Sequence, residues 1–187
     1  YSWSSGGTGA TETVIPSGTT AYTLTGLDSS NGCTSTDTIV ITVNPNPAVA
    51  ISGNTVVCFG NPVVLTASGA NAYSWSSGGT GTTEIVTPAV STAYTLTGLD
   101  SATGCIGMDT ISITVNALPV VAVTANANNV CAGTAVTMTA TGANSYVWSS
   151  GGTAATETVT PTSTTSYVVT GLDSLTACNN SDTITIT

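Results

Sequence analysis

The sequence predicts an all-β chain made of tandem copies of one small domain about 73 residues long, and three observations carry that prediction. The first is a recurring stretch, Tyr73-Ser74-Trp75-Ser76-Ser77-Gly78-Gly79-Thr80, which returns at Tyr1–Thr8 and, with Val147 in second place, at Tyr146–Thr153. Its copies begin 72 and 73 residues apart, and self-similarity at such a period marks a repeat array. A tryptophan in a short alternating run, followed by a glycine pair, reads as a core-facing strand entering a tight turn. The second observation is a period-two alternation of apolar residues with threonine and serine. The third is that no segment combines helical spacing with capping residues.

Residues 1–45 read as the back part of a repeat whose front part is expected outside this sequence. Residues 46–118 and 119–187 read as complete units, each near the lower size at which a core alone holds a fold. The joints Asn44-Pro45-Asn46-Pro47 and Asn116-Ala117-Leu118-Pro119 are short and proline-bearing, stiff spacers rather than flexible tethers. Pro47 and Pro119 lie 72 apart but Cys58 and Cys131 lie 73 apart, so one residue is inserted between Thr124 and Val130, expected as a bulge or longer turn. Residues 1–45 leave Trp3 and Tyr22 without covering strands, an open edge that implies strands from outside this segment or from a neighbouring chain.

Within residues 46–118 the elements follow in order. Val49 and Ile51 mark a first strand, and Val63, Leu65 and Ala67 a second. Tyr73 and Trp75 form the third, after which Gly78-Gly79 turns the chain into a very short next strand. Val86 belongs to a fifth strand, Tyr94 and Leu96 to a sixth, and Ile111, Ile113 and Val115 to the last. Their outward partners (Thr66, Thr95, Thr97, Thr110, Ser112, Thr114) suit solvent-facing strands, since β-branching fits the pleat and the hydroxyl stays wet.

Composition narrows the function. The chain has no Lys, Arg or His, and its nine acids give a net charge of −9. It cannot neutralise phosphates, so nucleic acid is excluded as a partner, and insertion into or attraction to an anionic membrane is not expected. No run of about 18 apolar residues, the length of a spanning helix, occurs. Without His, Lys or Arg there is no triad, Schiff base or phosphate clamp to build, so neither enzyme activity nor a cofactor is expected. The same absence removes every trypsin-type cleavage site. The acids fall three per repeat (Glu12, Asp28, Asp37; Glu84, Asp100, Asp109; Glu157, Asp173, Asp182) and keep a polar surface soluble. Five cysteines at repeat-locked positions, with no His beside them, point to disulfides and an oxidising, extracytoplasmic setting.

Three features recur in every copy: the tryptophan (Trp3, Trp75, Trp148) before Gly-Gly, an Ala/Ser-Tyr opening at Tyr22, Tyr94 and Tyr167, and the hairpin Gly-Leu-Asp … Cys … Asp-Thr-Ile. Together they resemble tandem immunoglobulin-like, more closely PKD-like, β-sandwich repeats of very large secreted surface proteins of the Bacteroidota, including gliding-type adhesins. The resemblance implies core packing for the three tryptophans and a tyrosine corner at Tyr22, Tyr94 and Tyr167. Where antibody-type domains carry buried inter-sheet cysteines, this chain has Leu65 and Leu96, so the core pin is apolar. The Asp-Ser/Thr-aliphatic triplets match the O-glycosylation pattern of that phylum and mark Thr38, Ser101, Thr110, Ser174 and Thr183 as candidate acceptors. Ordinary strand or turn hydroxyls are the competing reading.

In a sandwich of this kind the turn holding Cys58 or Cys131 lies at one pole, and the hairpin holding Cys33, Cys105 or Cys178 at the other. A strand of about 7 residues separates the poles by roughly 23 Å, whereas a disulfide needs Cα atoms within about 7 Å. In a head-to-tail array one repeat's first pole faces the next repeat's second pole. That geometry favours a staple between repeats, Cys58–Cys178, with Cys33, Cys105 and Cys131 serving further repeats. The alternative is pairing within each repeat, Cys58–Cys105 and Cys131–Cys178. Either bond adds about 4 kcal/mol if unstrained.

Asp100 and Asp109, flanking the hairpin, are the candidates for Ca²⁺, but no D-x-D-x-D cluster supports them, and turn capping competes. Glu84, Glu12 and Glu157 share the core-facing side and are expected at the rim, accepting from backbone or indole N–H groups. These features suit a stalk or filament segment of a large extracellular adhesin, whose partners are neighbouring repeats or copies in a fibre and a surface glycan or protein receptor at a distal tip. Two rivals are an array binding glycans or proteins through its pole loops, for which Phe59 is the sole loop aromatic, and a spacer within a secreted glycan-degrading enzyme.

Overall fold

The computed structural model describes residues 1–187 and contains strands but no helix. In residues 1–45, β1 (Ser2–Trp3), β2 (Thr20–Leu27) and β3 (Thr34–Ile41) form one antiparallel sheet in that order. Residues 46–118 hold β4 (Ala50–Ser52), β5 (Val56–Cys58), β6 (Val63–Ser68), β7 (Ala72–Trp75), β8 (Thr83–Val86), β9 (Thr92–Leu99) and β10 (Ile106–Asn116). They form the sheets β4-β6-β8 and β5-β10-β9-β7. Residues 119–187 hold β11 (Ala122–Ala125), β12 (Val136–Thr141), β13 (Ser145–Trp148), β14 (Thr156–Val159), β15 (Thr165–Leu172) and β16 (Asn179–Ile186), in the sheets β11-β12-β14 and β13-β15-β16.

The last repeat shows why these sequences stack as sheets. Along β12, Val136, Met138 and Ala140 are buried while Thr137 and Thr141 face solvent. From the opposite sheet come Tyr146, Trp148, Val169 and Ile186, and the two sets form one core with Val121. Two sheets meeting over alternating inward residues make an immunoglobulin-like β-sandwich. In the middle repeat Val63, Leu65, Ala67, Trp75, Val86, Leu96 and Ile113 are likewise buried, with Leu65 and Leu96 fully inaccessible.

The glycine pair after each tryptophan has two separate jobs. Gly78 and Gly151 adopt φ of +104° and +101°, the left-handed region that favours glycine. A Cβ on Gly7 or Gly152, the second of its pair, would collide with the carboxylate of Glu12 or Glu157. The short strand expected after Gly78-Gly79 does not form. Instead the indole N–H of Trp75 donates to Gly81 O at 2.9 Å and ties the loop down without a sheet partner.

Three further features depart from the sequence reading. An extra strand, β5, runs parallel to the end of β10, with Val56 beside Thr114 and Cys58 beside Asn116. The tyrosine hydroxyl that closes onto the backbone belongs to Tyr73 and Tyr146, one strand earlier than the corner expected at Tyr94 and Tyr167. Each donates to a carbonyl three residues back, Ala70 O at 2.6 Å or Ala143 O at 3.0 Å, and accepts from that residue's N–H. Trp3 and Tyr22, expected in a core, are only half-buried, and Ile39 is 59% exposed.

By contact density the chain divides into two compact units. One comprises Tyr1–Ala50, Ala67–Gly81 and Leu96–Asp109; the other comprises Ile51–Thr66, Thr82–Thr95 and Thr110–Thr187. Each encloses one of the proline-bearing joints.

Candidate functional site

Within the second unit, the joint at residues 116–119 is closed by a covalent bond. β10 runs on to Asn116, and the parallel strand β5 lays Cys58 beside it. Phe59 N donates to Asn116 O at 2.8 Å, and Asn61 N returns to Cys58 O, so the turn after Cys58 is fixed at both ends. Gly60, at φ +85°, makes that reversal. Cys58 is joined to Cys178, with Cα atoms 5.6 Å apart and 120 positions between them in sequence. The alternative pairing inside each repeat, Cys58–Cys105 with Cys131–Cys178, is absent: Cys33, Cys105 and Cys131 are free thiols.

Cys178 is held by its own hairpin. Asp173 N donates to Cys178 O at 2.8 Å across the turn. Asp173 Oδ1 accepts from Leu175 N, Oδ2 accepts from Thr176 Oγ1, and Thr176 Oγ1 accepts from Cys178 N. Ala177 takes φ +57° at the place where the other two copies have Gly32 and Gly104, a left-handed conformation that disfavours a Cβ. Cys178 is 0% exposed, so the joined sulfur is shielded from external thiols.

The same hairpin explains the aspartates. Ser30 Oγ and N donate to Asp28 Oδ1 at 2.7 and 2.9 Å, while Asp100 takes Ala102 N at 3.0 Å and Thr103 Oγ1 at 2.9 Å. These donors favour the ionised carboxyl. They hold Asp28, chiefly through the Ser30 hydroxyl, Asp100 through the Ala102 amide, and Asp173 through the Leu175 amide below the usual carboxylate range. A folded-state value depressed in this way gives stability that is complete above the unfolded value, about 3.9. That stability is lost as pH falls through the lower folded value. We expect carboxyl-carbon NMR titrations of these three aspartates to show midpoints below that of an unfolded Asp peptide; midpoints at or above the peptide's would refute the assigned bonds.

The other candidate residues separate. Asp100 caps the hairpin turn, Asp109 lies on β10, and no group of three or more metal-ligating side chains gathers anywhere. Thr38, Ser101, Thr110, Ser174 and Thr183 are all exposed, although Thr38 shares a hydrogen bond with Thr23 and Thr110 with Thr95. Trp75 and Trp148 are buried, and Tyr94 and Tyr167 half-buried. The glutamates do not receive the indoles. Glu12 and Glu157 accept from Ser5 and Ser150 hydroxyls at 2.9 Å, while Trp3, Trp75 and Trp148 donate to the carbonyls of Gly9, Gly81 and Ala154. Serine lies nearer because the turn folds it back over the second glycine.

One role was not foreseen. Asp182 Oδ2 accepts from Val123 N at 2.9 Å, so a carboxylate of the last strand anchors the first strand of its own repeat. The signal was available, since Asp182 precedes an inward-facing run and falls on the strand side of the hairpin.

No family model matches the chain, and no curated protein does. Among solved structures, the chain is similar to the fibronectin(III)-like modules of Clostridium thermocellum CbhA, at 12% sequence identity and a TM-score of 0.35, over 73% of this chain and 92% of that one.

Proposed function

We propose that the chain is a structural segment of an extracellular, multi-repeat stalk or filament of a large bacterial surface adhesin of the Bacteroidota type, with modules at residues 1–45, 46–118 and 119–187. The observation that carries this reading is the Cys58–Cys178 bond, which joins consecutive repeats across a two-residue proline joint. A crosslink at that place resists bending and extension, and it forms only in an oxidising compartment. The lack of any basic residue protects such a segment from trypsin-type proteases. Exposed Thr38, Ser101, Thr110, Ser174 and Thr183 would carry glycans in the same setting. The work is mechanical: holding a distal receptor-binding tip away from the cell.

Single-molecule pulling between the termini tests the mechanical reading. With the bond intact, the 120 positions between Cys58 and Cys178 are bypassed, hiding about 400 Å of extended chain. Adding reductant should release that length, and forces below those that unfold the repeats should leave the oxidised joint rigid. Immunogold labelling of intact cells of the source organism tests the setting. Label appearing only after permeabilisation would sink it, and saturable glycan binding by the isolated chain would favour the binding-array reading instead.

A further inference from the structure

We infer that the open face of β1–β3 and the thiol of Cys105 together form the seat for one partner: a two-stranded segment of the same repeat chemistry that carries a cysteine in its turn. This inference concerns only what the surface binds and stands apart from the stalk reading. Four observations, all within the first compact unit, converge on it.

The first is the uncovered sheet. Trp3 pairs with Leu24 and Tyr22 with Ile39, in the same register as Trp148 with Val169 and Tyr167 with Ile184. In the last repeat that face is sealed by Val136, Met138 and Ala140 of β12. In residues 1–45 the corresponding residues instead line a cleft of about 180 Å³, formed by Trp3, Glu12, Val14, Tyr22, Ile39 and Ile41. Apolar surface of this kind gains roughly 25 cal/mol per Å² when covered.

The second is a tetrapeptide present twice. Thr156-Glu157-Thr158-Val159 forms β14, paired antiparallel with β12. Thr11-Glu12-Thr13-Val14 has the same sequence but lies outside any strand. The sequence is competent for a strand, and what differs is the neighbour. A segment like β12 would supply it.

The third and fourth place the cysteine. In the closed joint, Cys58 lies beside Asn116 in register and bonds to Cys178. In the other joint Asn44 occupies the place of Asn116, and Cys105, the counterpart of Cys178, already has its Sγ 3.7 Å from Asn44 O. Beside it a cleft of about 470 Å³ opens between Pro45, Asn46, Pro47, Gly69, Asn71 and Asp100. A turn cysteine running parallel to residues 42–44 would arrive next to that sulfur.

The occupant's chemistry can be read from the two segments that do this work here. They are Cys58-Phe59-Gly60-Asn61-Pro62-Val63-Val64-Leu65-Thr66-Ala67 and Cys131-Ala132-Gly133-Thr134-Ala135-Val136-Thr137-Met138-Thr139-Ala140. The shared pattern is Cys-x-Gly-x-x-Val-x-Leu/Met-Thr-Ala. The glycine turns the chain (Gly60 φ +85°, Gly133 φ +80°), and the alternating aliphatics cover the indole face. Closing the bond joins two thiols as one disulfide, and the two electrons and two protons pass to a disulfide oxidant such as oxidised glutathione, released as two reduced thiols.

The test uses the full chain bearing Cys131→Ala, which removes the chain's own exposed turn cysteine. A synthetic peptide with the sequence of residues 119–141, thiol intact, is added with oxidised glutathione, and the adducts are mapped by peptide mass spectrometry. The peptide should attach to Cys105 faster than to the exposed Cys33 by about tenfold or more, because a seated thiol reacts at a raised effective concentration. A peptide with its cysteine replaced by alanine should still shift indole fluorescence to shorter wavelength, and Trp3→Phe should abolish that shift. Equal capture at Cys33 and Cys105, or no shift from the alanine peptide, would overturn the proposal. So would an unmodified chain that dimerises through Cys131 and Cys105 as fast as the peptide is captured, since the occupant would then be a second copy.

Discussion

Reducing the Cys58–Cys178 bond is expected to lower the stability of residues 119–187 by about 3–5 kcal/mol. The bond spans 120 positions, so its loss returns a long loop's worth of freedom to the unfolded chain, and the gain grows only logarithmically with loop length. The comparison should be made in a chain with Cys33, Cys105 and Cys131 changed to alanine, so that free thiols cannot exchange with the bond. Urea unfolding with and without reductant then reads the difference as a shift in midpoint at unchanged slope. Because Cys178 is buried, the native bond should resist mild reductant until the repeat opens, and reduction should become rapid only near the unfolding transition. A midpoint that does not move would mean that the two repeats hold their positions without the crosslink.

Trp148→Ala should cost about 3–5 kcal/mol, whereas Trp3→Ala should cost less than about 1 kcal/mol. The two tryptophans stand at equivalent places in nearly identical octapeptides. Trp148 is 2% exposed and packs among Val136, Met138 and Val169, with its N–H on Ala154 O at 2.8 Å. Removing it empties a volume that the rigid sheets on both sides cannot collapse into, and it orphans a carbonyl. Trp3 has one sheet behind it and solvent in front, so its removal leaves no closed cavity. Hydrogen exchange resolved by segment separates the two cases. Protection of β13–β16 should collapse in the first variant, and that of β2–β3 should change little in the second. Equal losses would mean that the face of β1–β3 is covered in solution as it stands.

The strands with long alternating runs could be read from the chain because burial is decided residue by residue at period two. Val63, Leu65 and Ala67, or Val136, Met138 and Ala140, point inward for that reason alone. The staple was legible through a different argument, the distance between poles, which needs only strand length and disulfide reach. β5 escaped notice because three residues carry no period, and its pairing depends on where β10 happens to end. The tyrosine contacts were assigned one strand too late because a hydroxyl can close on any carbonyl its loop presents. In Tyr73 and Tyr146 the loop lies three residues upstream, a distance that sequence cannot rank against a corner later in the repeat. The glutamates were misassigned for a similar reason, since turn geometry brought serine within reach first. Thr11–Val14 shows the limit most directly: the same four residues are strand or not according to what lies beside them.

The outward strand faces are knitted by neutral hydroxyl pairs: Thr23 with Thr38, Thr137 with Thr158, Ser166 with Thr185 and Thr170 with Ser181, at 2.8–3.3 Å. Positions that other β-proteins give to cross-strand ion pairs are therefore held by groups that ionic strength does not weaken. The only electrostatic force left between side chains is repulsion among nine carboxylates, and dissolved electrolyte diminishes it. Concentrated brine should thus tighten this chain rather than loosen it, and a surface without cations can keep one set of contacts from dilute to strongly saline surroundings.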